Sequence, residues 1–195
     1  MKLIIITAAM VLAGSAVTPP PASTPPNALG AVQESRTPDV IYVPTPPEVV
    51  ERMLDLAQIK DGDVLYDLGS GDGRIPIAAA KRAKIEATGI DIDPQRIAEA
   101  NANAKAAGVA DGVTFKRADL FASDFSDASV VTLYLLDTLN EKLRPKLLAE
   151  LKPGTRIVSH AFRMGDWEPE KTEEINGRTI YFWTVPGKGE KPKGL

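Results

Sequence analysis

The 195-residue sequence contains no cysteine and only one histidine, His160. The lack of cysteine excludes disulfides, a thiolate nucleophile and Cys-ligated zinc. A single imidazole also disfavours most zinc sites and a Ser-His-Asp triad. Excess basic charge is absent too, because 23 Lys and Arg against 26 Asp and Glu give a net charge of −3. A dedicated nucleic-acid-binding protein usually carries a basic face. We therefore expect a cofactor to supply the chemistry and expect no nucleic-acid partner.

The first residues have the arrangement of a secretory signal. Lys2 precedes an apolar run over 3–12, and small residues follow at 13–16. The run is shorter than the ~20 residues of a membrane-spanning helix. Residues 1–16 are thus predicted to be a signal peptide or an N-terminal anchor, which predicts an exported or envelope-associated protein (periplasmic or membrane-tethered). The protein would be cytoplasmic if the segment is not used. Ser15 stands where a lipoprotein needs cysteine, which excludes lipid anchoring.

Proline usage marks the domain boundary. Nine of the 16 prolines lie at or before Pro47, and residues 17–39 combine proline with Ser, Thr and Ala, which predicts a disordered linker. Residues 40–186 are predicted to form one domain, long enough to bury an independent core. Residues 187–195 read as a polar tail.

Within the domain, strand and helix patterns alternate. Thr45 is the predicted N-cap of the first helix, with Pro46 at its first position and Glu48 completing a capping box. A later helix is predicted over 143–151, with Pro145 tolerated near its start. Strands are predicted at 64–68, 87–91, 113–115, 129–134, 155–160, 170–175 and 179–185. Asn176-Gly177 between the last two predicts a hairpin. The fold class is therefore α/β: Rossmann-like, doubly wound, with a mostly parallel seven-stranded sheet and a C-terminal antiparallel hairpin.

A glycine-rich loop follows the first predicted strand. Glycines at such a position let the backbone approach a ligand at a helix N-terminus. A dinucleotide fingerprint would need a third glycine where Arg74 stands, and the Gly-Lys-Ser/Thr of a P-loop is absent. What remains is Asp67-x-Gly69-x-Gly71-x-Gly73. Asp91, twenty residues past Gly71 and at the end of the second strand, is placed to accept hydrogen bonds from ribose hydroxyls.

This Asp-x-Gly-x-Gly-x-Gly pattern resembles that of class I S-adenosylmethionine-dependent methyltransferases. Asp119, after the third strand, matches the acid that takes the adenine amino group in that family. The resemblance implies S-adenosyl-L-methionine as cofactor and no metal. The implied cofactor-binding residues are Asp67, Gly69, Ser70, Gly71, Asp91, Ile92, Asp119, Leu120, Thr45 and Tyr42.

A narrower resemblance covers most of the domain. The segments 42–47, 66–75, 143–147, 151–156 and 159–160 look like those of archaeal broad-specificity protein-lysine methyltransferases. They are also similar to the mitochondrial lysine methyltransferases that act on the ATP synthase c-subunit. In that group the segment before the first helix folds over the methyl donor, so Tyr42 and Thr45 would line the cofactor and the lysine entrance. The alternative is that Tyr42 packs as a linker residue. The signal and the proline-rich arm depart from the family.

Lysine methylation needs a neutral amine. Deprotonating an amine of pKa ~10.4 at pH 7 costs about 4.6 kcal/mol, and an apolar tunnel beside a positive sulfur lowers that cost. Alignment can supply ~7–11 kcal/mol of the barrier, so no strong base is required. Tyr134 stands where enzymes that methylate amide or base nitrogens carry Asn/Asp-Pro-Pro-Tyr/Phe, and the absence of that motif argues against such substrates. Tyr134 would hold the amine or simply pack.

Two further side chains carry open alternatives. His160, at the end of the fifth strand, is a candidate proton acceptor or a structural residue. Trp167 packs the hairpin or guides the lysine, and Trp183 is expected to pack. The chain is expected to be a monomer acting on proteins that present lysine, with any membrane contact only through an uncleaved N-terminal segment. The alternatives are a small-molecule N- or O-methyltransferase and a non-catalytic donor-binding module.

Overall fold

The computed structural model describes residues 41–195, so the predicted signal (1–16) and linker (17–39) lie outside the described residues. The helices are α1 (Pro47–Leu56), α2 (Arg74–Arg82), α3 (Pro94–Ala106) and α4 (Asp137–Glu150). The strands are β1 (Val64–Leu68), β2 (Glu86–Asp91), β3 (Val113–Arg117), β4 (Val130–Leu133), β5 (Arg156–His160), β6 (Lys171–Ile175) and β7 (Arg178–Thr184). None of the helices within 41–195 is long and apolar enough to cross a membrane.

The strands form one seven-stranded sheet in the order β3-β2-β1-β4-β5-β7-β6. The first five strands pair in parallel, while β7 pairs antiparallel with both β5 and β6. Asn176 and Gly177 turn the β6–β7 hairpin with positive φ angles of 50° and 74°, as such a turn requires. These features confirm the predicted fold class.

Helices cover both faces of the sheet. On one face, α1 and α2 contribute to a core that includes Met53 and Leu54. On the other, α4 and the hairpin pack around Trp167 and Trp183, whose ring centroids lie 6.1 Å apart. The Trp183 Nε1 donates a hydrogen bond to the Trp167 carbonyl at 2.9 Å. Trp167 is only 3% exposed, so it packs the hairpin and does not guide a substrate.

Two predicted helix starts are wrong. Pro46, not Thr45, is the N-cap of α1, and no side chain caps that helix, because the Thr45 hydroxyl is held instead by His160 from across the domain. The fourth helix begins at Asp137 and not at residue 143, so Pro145 lies inside it. Pro145 is exposed, and its ring therefore does not disturb the buried face that carries Leu143 and Leu147.

The topology places a crevice at one edge of the sheet. The chain leaves β1 toward β2 and β3 on one side, and β4 and β5 lie on the other. In open α/β sheets, ligands bind outside the carboxyl ends of the strands at such a switch point. The loops that follow β1, β2, β3 and β4 meet here.

Candidate active site

A cleft of about 1030 Å³, including the open space at its mouth, lies at the carboxyl ends of these strands. The 41–45 segment borders one side of the cleft, and residues following β4 border the other. Most of the sequence-predicted site residues line it: Tyr42, Thr45, Asp67, Gly69, Ser70, Asp91, Ile92, Asp119, Leu120 and Tyr134. Other lining residues were not assigned to the site from the sequence, among them Arg74, Arg96, Phe121 and Leu139.

The glycine loop joins β1 to α2. Gly71 has φ +52° and Gly73, the N-cap of α2, has φ +80°, values that L-residues with side chains rarely adopt. A Cβ on Gly71 would collide with the ring of Tyr42. The Gly71 backbone therefore packs closely against Tyr42, whose side chain lines the cleft.

Asp91 ties the loop to β2. Its Oδ2 accepts a hydrogen bond from the Gly71 amide at 2.8 Å, and its Oδ1 accepts one from the Asp93 amide at 2.9 Å. Each carboxylate oxygen has further lone pairs, and Asp91 lines the cleft. The carboxylate is thus able to accept hydrogen bonds from ribose hydroxyls. Beside it, the Ser70 hydroxyl is buried without a hydrogen-bond partner among residues 41–195.

Asp67 lies deeper, at the end of β1, and is 3% exposed. The Thr132 hydroxyl on β4 donates a hydrogen bond to its Oδ1 at 2.7 Å. Burial raises the pKa of Asp67 to about 7, the negative charges of Asp91 and Asp72 act in the same direction, and the Thr132 bond opposes them. This carboxyl therefore exchanges its proton near neutral pH, which makes it sensitive to a positive charge in the cleft.

Apolar side chains line the part of the cleft beyond β2 and β3. Ile92 and Leu120 provide apolar lining, and Phe121 extends it. Asp119 directly precedes Leu120 in the chain, and its Oδ1 accepts a hydrogen bond from the Phe121 amide at 2.9 Å. An apolar slot with a carboxylate at its edge suits an adenine ring with an exocyclic amino group.

Two arginines hold the 41–45 segment against the cleft. Arg74 donates from Nη1 to the Thr45 carbonyl at 2.7 Å and pairs with Asp72 at 2.7 Å. The guanidinium carbon of Arg96 lies 4.7 Å from the centroid of the Tyr42 ring, within cation–π distance. No local sequence signal predicts that these arginines contact the 41–45 segment, because Thr45 and Tyr42 are distant from them in the chain.

Tyr134 and His160 form an aromatic pair at the other wall. Their ring centroids lie 3.9 Å apart, and Phe162 lies 6.0 Å from Tyr134 on centroids. Tyr134 lines the cleft, whereas His160 is fully buried and does not. Burial, aided by the positive charge of Arg178, lowers the pKa of His160 to about 4. The predicted contact of His160 with substrate is therefore not found, since the ring lies behind Tyr134.

The residues present fit S-adenosylmethionine. The loop glycines admit close backbone approach, and Asp91 has spare acceptor capacity. The Ser70 hydroxyl lacks a partner within the described residues, and apolar residues line the cleft beside Asp119. The fold and this site together define an S-adenosylmethionine-dependent methyltransferase. A family model, the ANTKMT methyltransferase domain, matches residues 67–171. The chain belongs to that family.

Relatives and solved structures agree with this class. The chain is 46% identical over 156 residues to a protein-lysine N-methyltransferase of Saccharolobus islandicus, covering 77% of this chain and 97% of the relative. It is 33% identical over 150 residues to the adenine nucleotide translocase lysine N-methyltransferase of Mus musculus. The match covers 77% of this chain but only 65% of the mouse protein.

One solved structure is more similar still in sequence. A crystal structure described as an RNA methyltransferase from Salinibacter ruber, in complex with S-adenosyl-L-homocysteine, is 55% identical with a TM-score of 0.75. The alignment covers 78% of this chain and 99% of that one. A methyltransferase from Geobacter sulfurreducens, also in complex with S-adenosyl-L-homocysteine, is 28% identical with a TM-score of 0.55, over 62% of this chain and 50% of that one.

Proposed function

We propose that the protein transfers methyl groups from S-adenosylmethionine to lysine ε-amines of other proteins. The observation that carries the proposal is the match to the Saccharolobus islandicus enzyme, which extends over 97% of that enzyme at 46% identity. Because the match covers 77% of this chain, it includes the glycine loop and the end of β4.

The charge of the cleft supports an amine acceptor. Five aspartates line it (Asp67, Asp72, Asp91, Asp93 and Asp119), against two arginines. Both arginines are engaged by acids, Arg74 with Asp72 at 2.7 Å and Arg96 with Glu99 at 2.7 Å. A cationic lysine is attracted to such a cleft, whereas a phosphate backbone needs a basic groove.

The chain's own residues act mainly by positioning. When bound, S-adenosylmethionine supplies a methyl group activated by a positively charged sulfur. Tyr134 presents a ring and a hydroxyl at the cleft wall, suited to orienting an amine. The lysine must lose its proton, at a cost of about 4.6 kcal/mol at pH 7 for an unperturbed amine. The apolar side chains of Leu135 and Leu139 lower that cost by disfavouring the charged form.

A labelling experiment tests the proposal. Full-length protein is incubated with methyl-labelled S-adenosylmethionine and a mixed protein extract, and the products are hydrolysed for amino-acid analysis. We expect label in mono-, di- or trimethyl-lysine. The matched control is Tyr134→Phe, which keeps the ring and removes the hydroxyl. Donor binding without label in protein would instead favour a small-molecule acceptor, and donor binding without any turnover would favour a donor-binding module.

RNA is the second candidate acceptor, because the 55% identical Salinibacter ruber structure is described as an RNA methyltransferase. A parallel reaction with total RNA separates the two. Label in RNA that is sensitive to ribonuclease, with none in methyl-lysine, would overturn the lysine proposal. The acidic cleft predicts the opposite result.

The cellular location is part of the proposal. We infer from Lys2, the apolar run 3–12 and the small residues 13–16 that the protein is exported or tethered to the cell envelope. Fractionation of the host cell and N-terminal sequencing of the recovered protein test this. Recovery of the intact chain from the cytoplasm would show that the segment is not used. We propose separately that the protein is a monomer. Sedimentation of the recovered protein measures its mass and checks the monomer.

A further inference from the structure

The two walls of the cleft are connected behind it by one buried side chain. The Thr45 Oγ1 and the His160 Nδ1 lie 3.1 Å apart, in a hydrogen bond between residues 115 positions apart in the chain. Thr45 is 3% exposed and His160 is fully buried. The imidazole also contacts the ring of Tyr134, with the ring centroids 3.9 Å apart and the ring planes tilted by 35°.

Each partner of His160 reaches the cleft, although His160 does not. Thr45 lines it from the 41–45 segment, and Tyr134 lines it from the end of β4. The imidazole Nε2 has no hydrogen-bond partner among residues 41–195. An unpaired buried nitrogen carries a free-energy cost, and phenylalanine would pack there without that cost. The fold nevertheless has an imidazole, whose Nδ1 contacts Thr45 and whose ring contacts Tyr134.

We propose that His160 is a positioning residue for methyl transfer. Its Nδ1 fixes Thr45, and with it the segment that borders the donor, while its ring fixes Tyr134 at the acceptor side. The inference rests on the proposed function for the acceptor side only. The effect on donor binding is measured by titration with the donor product alone, without any acceptor.

Two substitutions separate the two contacts. His160→Phe keeps a ring against Tyr134 and removes the hydrogen bond to Thr45. His160→Asn places an amide near the position of Nδ1 and removes the ring. Thr45→Val removes the hydrogen bond from the other side, and Thr45→Ser preserves it.

The full chain and these variants are compared by calorimetric titration with S-adenosyl-L-homocysteine and by steady-state kinetics at saturating donor. His160→Phe and Thr45→Val should each weaken donor binding by about two- to tenfold, the range for one neutral hydrogen bond, with kcat unchanged. Thr45→Ser should retain donor affinity. His160→Asn should retain it too but lower kcat by about tenfold, since Tyr134 loses its support.

The double variant Thr45→Val/His160→Phe should bind donor no more weakly than the weaker single variant, because both changes remove the same bond. Additive losses would overturn the proposal. A second contradicting outcome is that donor affinity and kcat fall together in both His160 variants, in proportion to the fall in their thermal unfolding midpoints. That result would show that His160 has a structural role alone. A loss of kcat in His160→Phe at saturating donor would also overturn the proposal, in favour of a proton acceptor. If the wild-type chain labels no lysine, the proposed function fails, while the donor titrations still decide the Thr45–His160 bond.

Discussion

Asp67 couples donor binding to pH at the scale of one residue. Its pKa is about 7, and a positively charged donor favours its ionised form. The ionised fraction falls about tenfold between pH 8 and pH 6, so the donor affinity of the wild-type chain should fall by about the same factor. In Asp67→Asn this part of the pH dependence should be absent. Calorimetric titrations of both proteins with S-adenosylmethionine measure it, and identical pH profiles would contradict the assignment.

The ionised form of Asp67 favours donor binding but lowers the stability of the folded protein without donor. The pKa of Asp67 is raised from an ordinary 3.8 to about 7 in the folded chain, so the folded state holds an extra proton between those values. The free energy of unfolding therefore falls as pH rises from about 4 to about 7. At about 1.36 kcal/mol per pKa unit, the loss is on the order of 4 kcal/mol. Asp67→Asn should be more stable than wild type at pH 8, with the difference vanishing toward pH 4, as measured by urea unfolding without donor.

Individual site residues differed in how well the sequence predicted them. Asp67 and Asp91 were predicted from their places at the ends of predictable strands, which are known positions in space in a parallel sheet, whereas Asp119, beyond the end of β3, was predicted from the family resemblance. Thr45 was assigned to the wrong task, since the local pattern of an N-cap gives no information on a histidine 115 residues away. Arg96 was missed for the same reason.

At the scale of the loop between β1 and α2, the close approach of Tyr42 makes a prediction. Gly71→Ala should weaken donor binding by more than about tenfold, because the new methyl group and the Tyr42 ring cannot share the space. Gly154→Ala is the matched control: its φ is +86°, and no atom of residues 41–195 lies within 4 Å of an added Cβ. Both changes carry a backbone cost of about 1–2 kcal/mol, which urea unfolding measures. Equal donor affinities in the two variants would contradict the contact.

Helix α4 offers a prediction about stability. Pro145 lies inside it and is exposed, so it removes one helical hydrogen bond without a packing gain. Pro145→Ala should raise the free energy of unfolding by about 2 kcal/mol, after the entropy lost with proline is counted. The control is Pro47→Ala, at the first position of α1, where proline costs no hydrogen bond and its removal should not stabilise. Thermal unfolding of both variants checks this, and equal shifts would show that helix position is irrelevant.

Elements were predictable where one local rule decided them. The strand Val64–Leu68 was correct to the residue, since an apolar run is a local signal. The N-cap of α3 is local too, because the Asp93 side chain accepts a hydrogen bond from the Gln95 amide. The start of α4 was not predicted correctly, because the sequence around Leu136 and Asp137 has no capping side chain. Tertiary contacts such as the one from the Arg163 amide to Asp137 hold that turn instead.

At the scale of the whole molecule, the residues that line the cleft, among the 41–195 that the structure describes, all fall within the range 41–139. The β6–β7 hairpin contributes none of them. It extends the sheet beyond β5 and supports His160 from behind, where Ile180 is its strand partner. The cleft is therefore completed from the N-terminal side of the domain, by the 41–45 segment, and not by the C-terminal strands.

This arrangement predicts different outcomes for two N-terminal truncations. A chain that begins at Ser35 retains all lining residues of the described range 41–195 and should keep the donor affinity of the full chain. A chain that begins at Pro46 retains α1 but loses Tyr42 and Thr45, together with their contacts to Arg96, Arg74 and His160. Loss of one hydrogen bond to a charged group and one between neutral groups amounts to about 2–4.5 kcal/mol in gross contact. Part of that is offset because the segment no longer has to be ordered, so we expect donor binding at least about tenfold weaker.

Calorimetric titration of the three proteins with S-adenosyl-L-homocysteine, with thermal unfolding as the check on folding, measures the difference. Equal affinity in the two truncated chains would mean that the segment covers the cleft without contributing to donor binding.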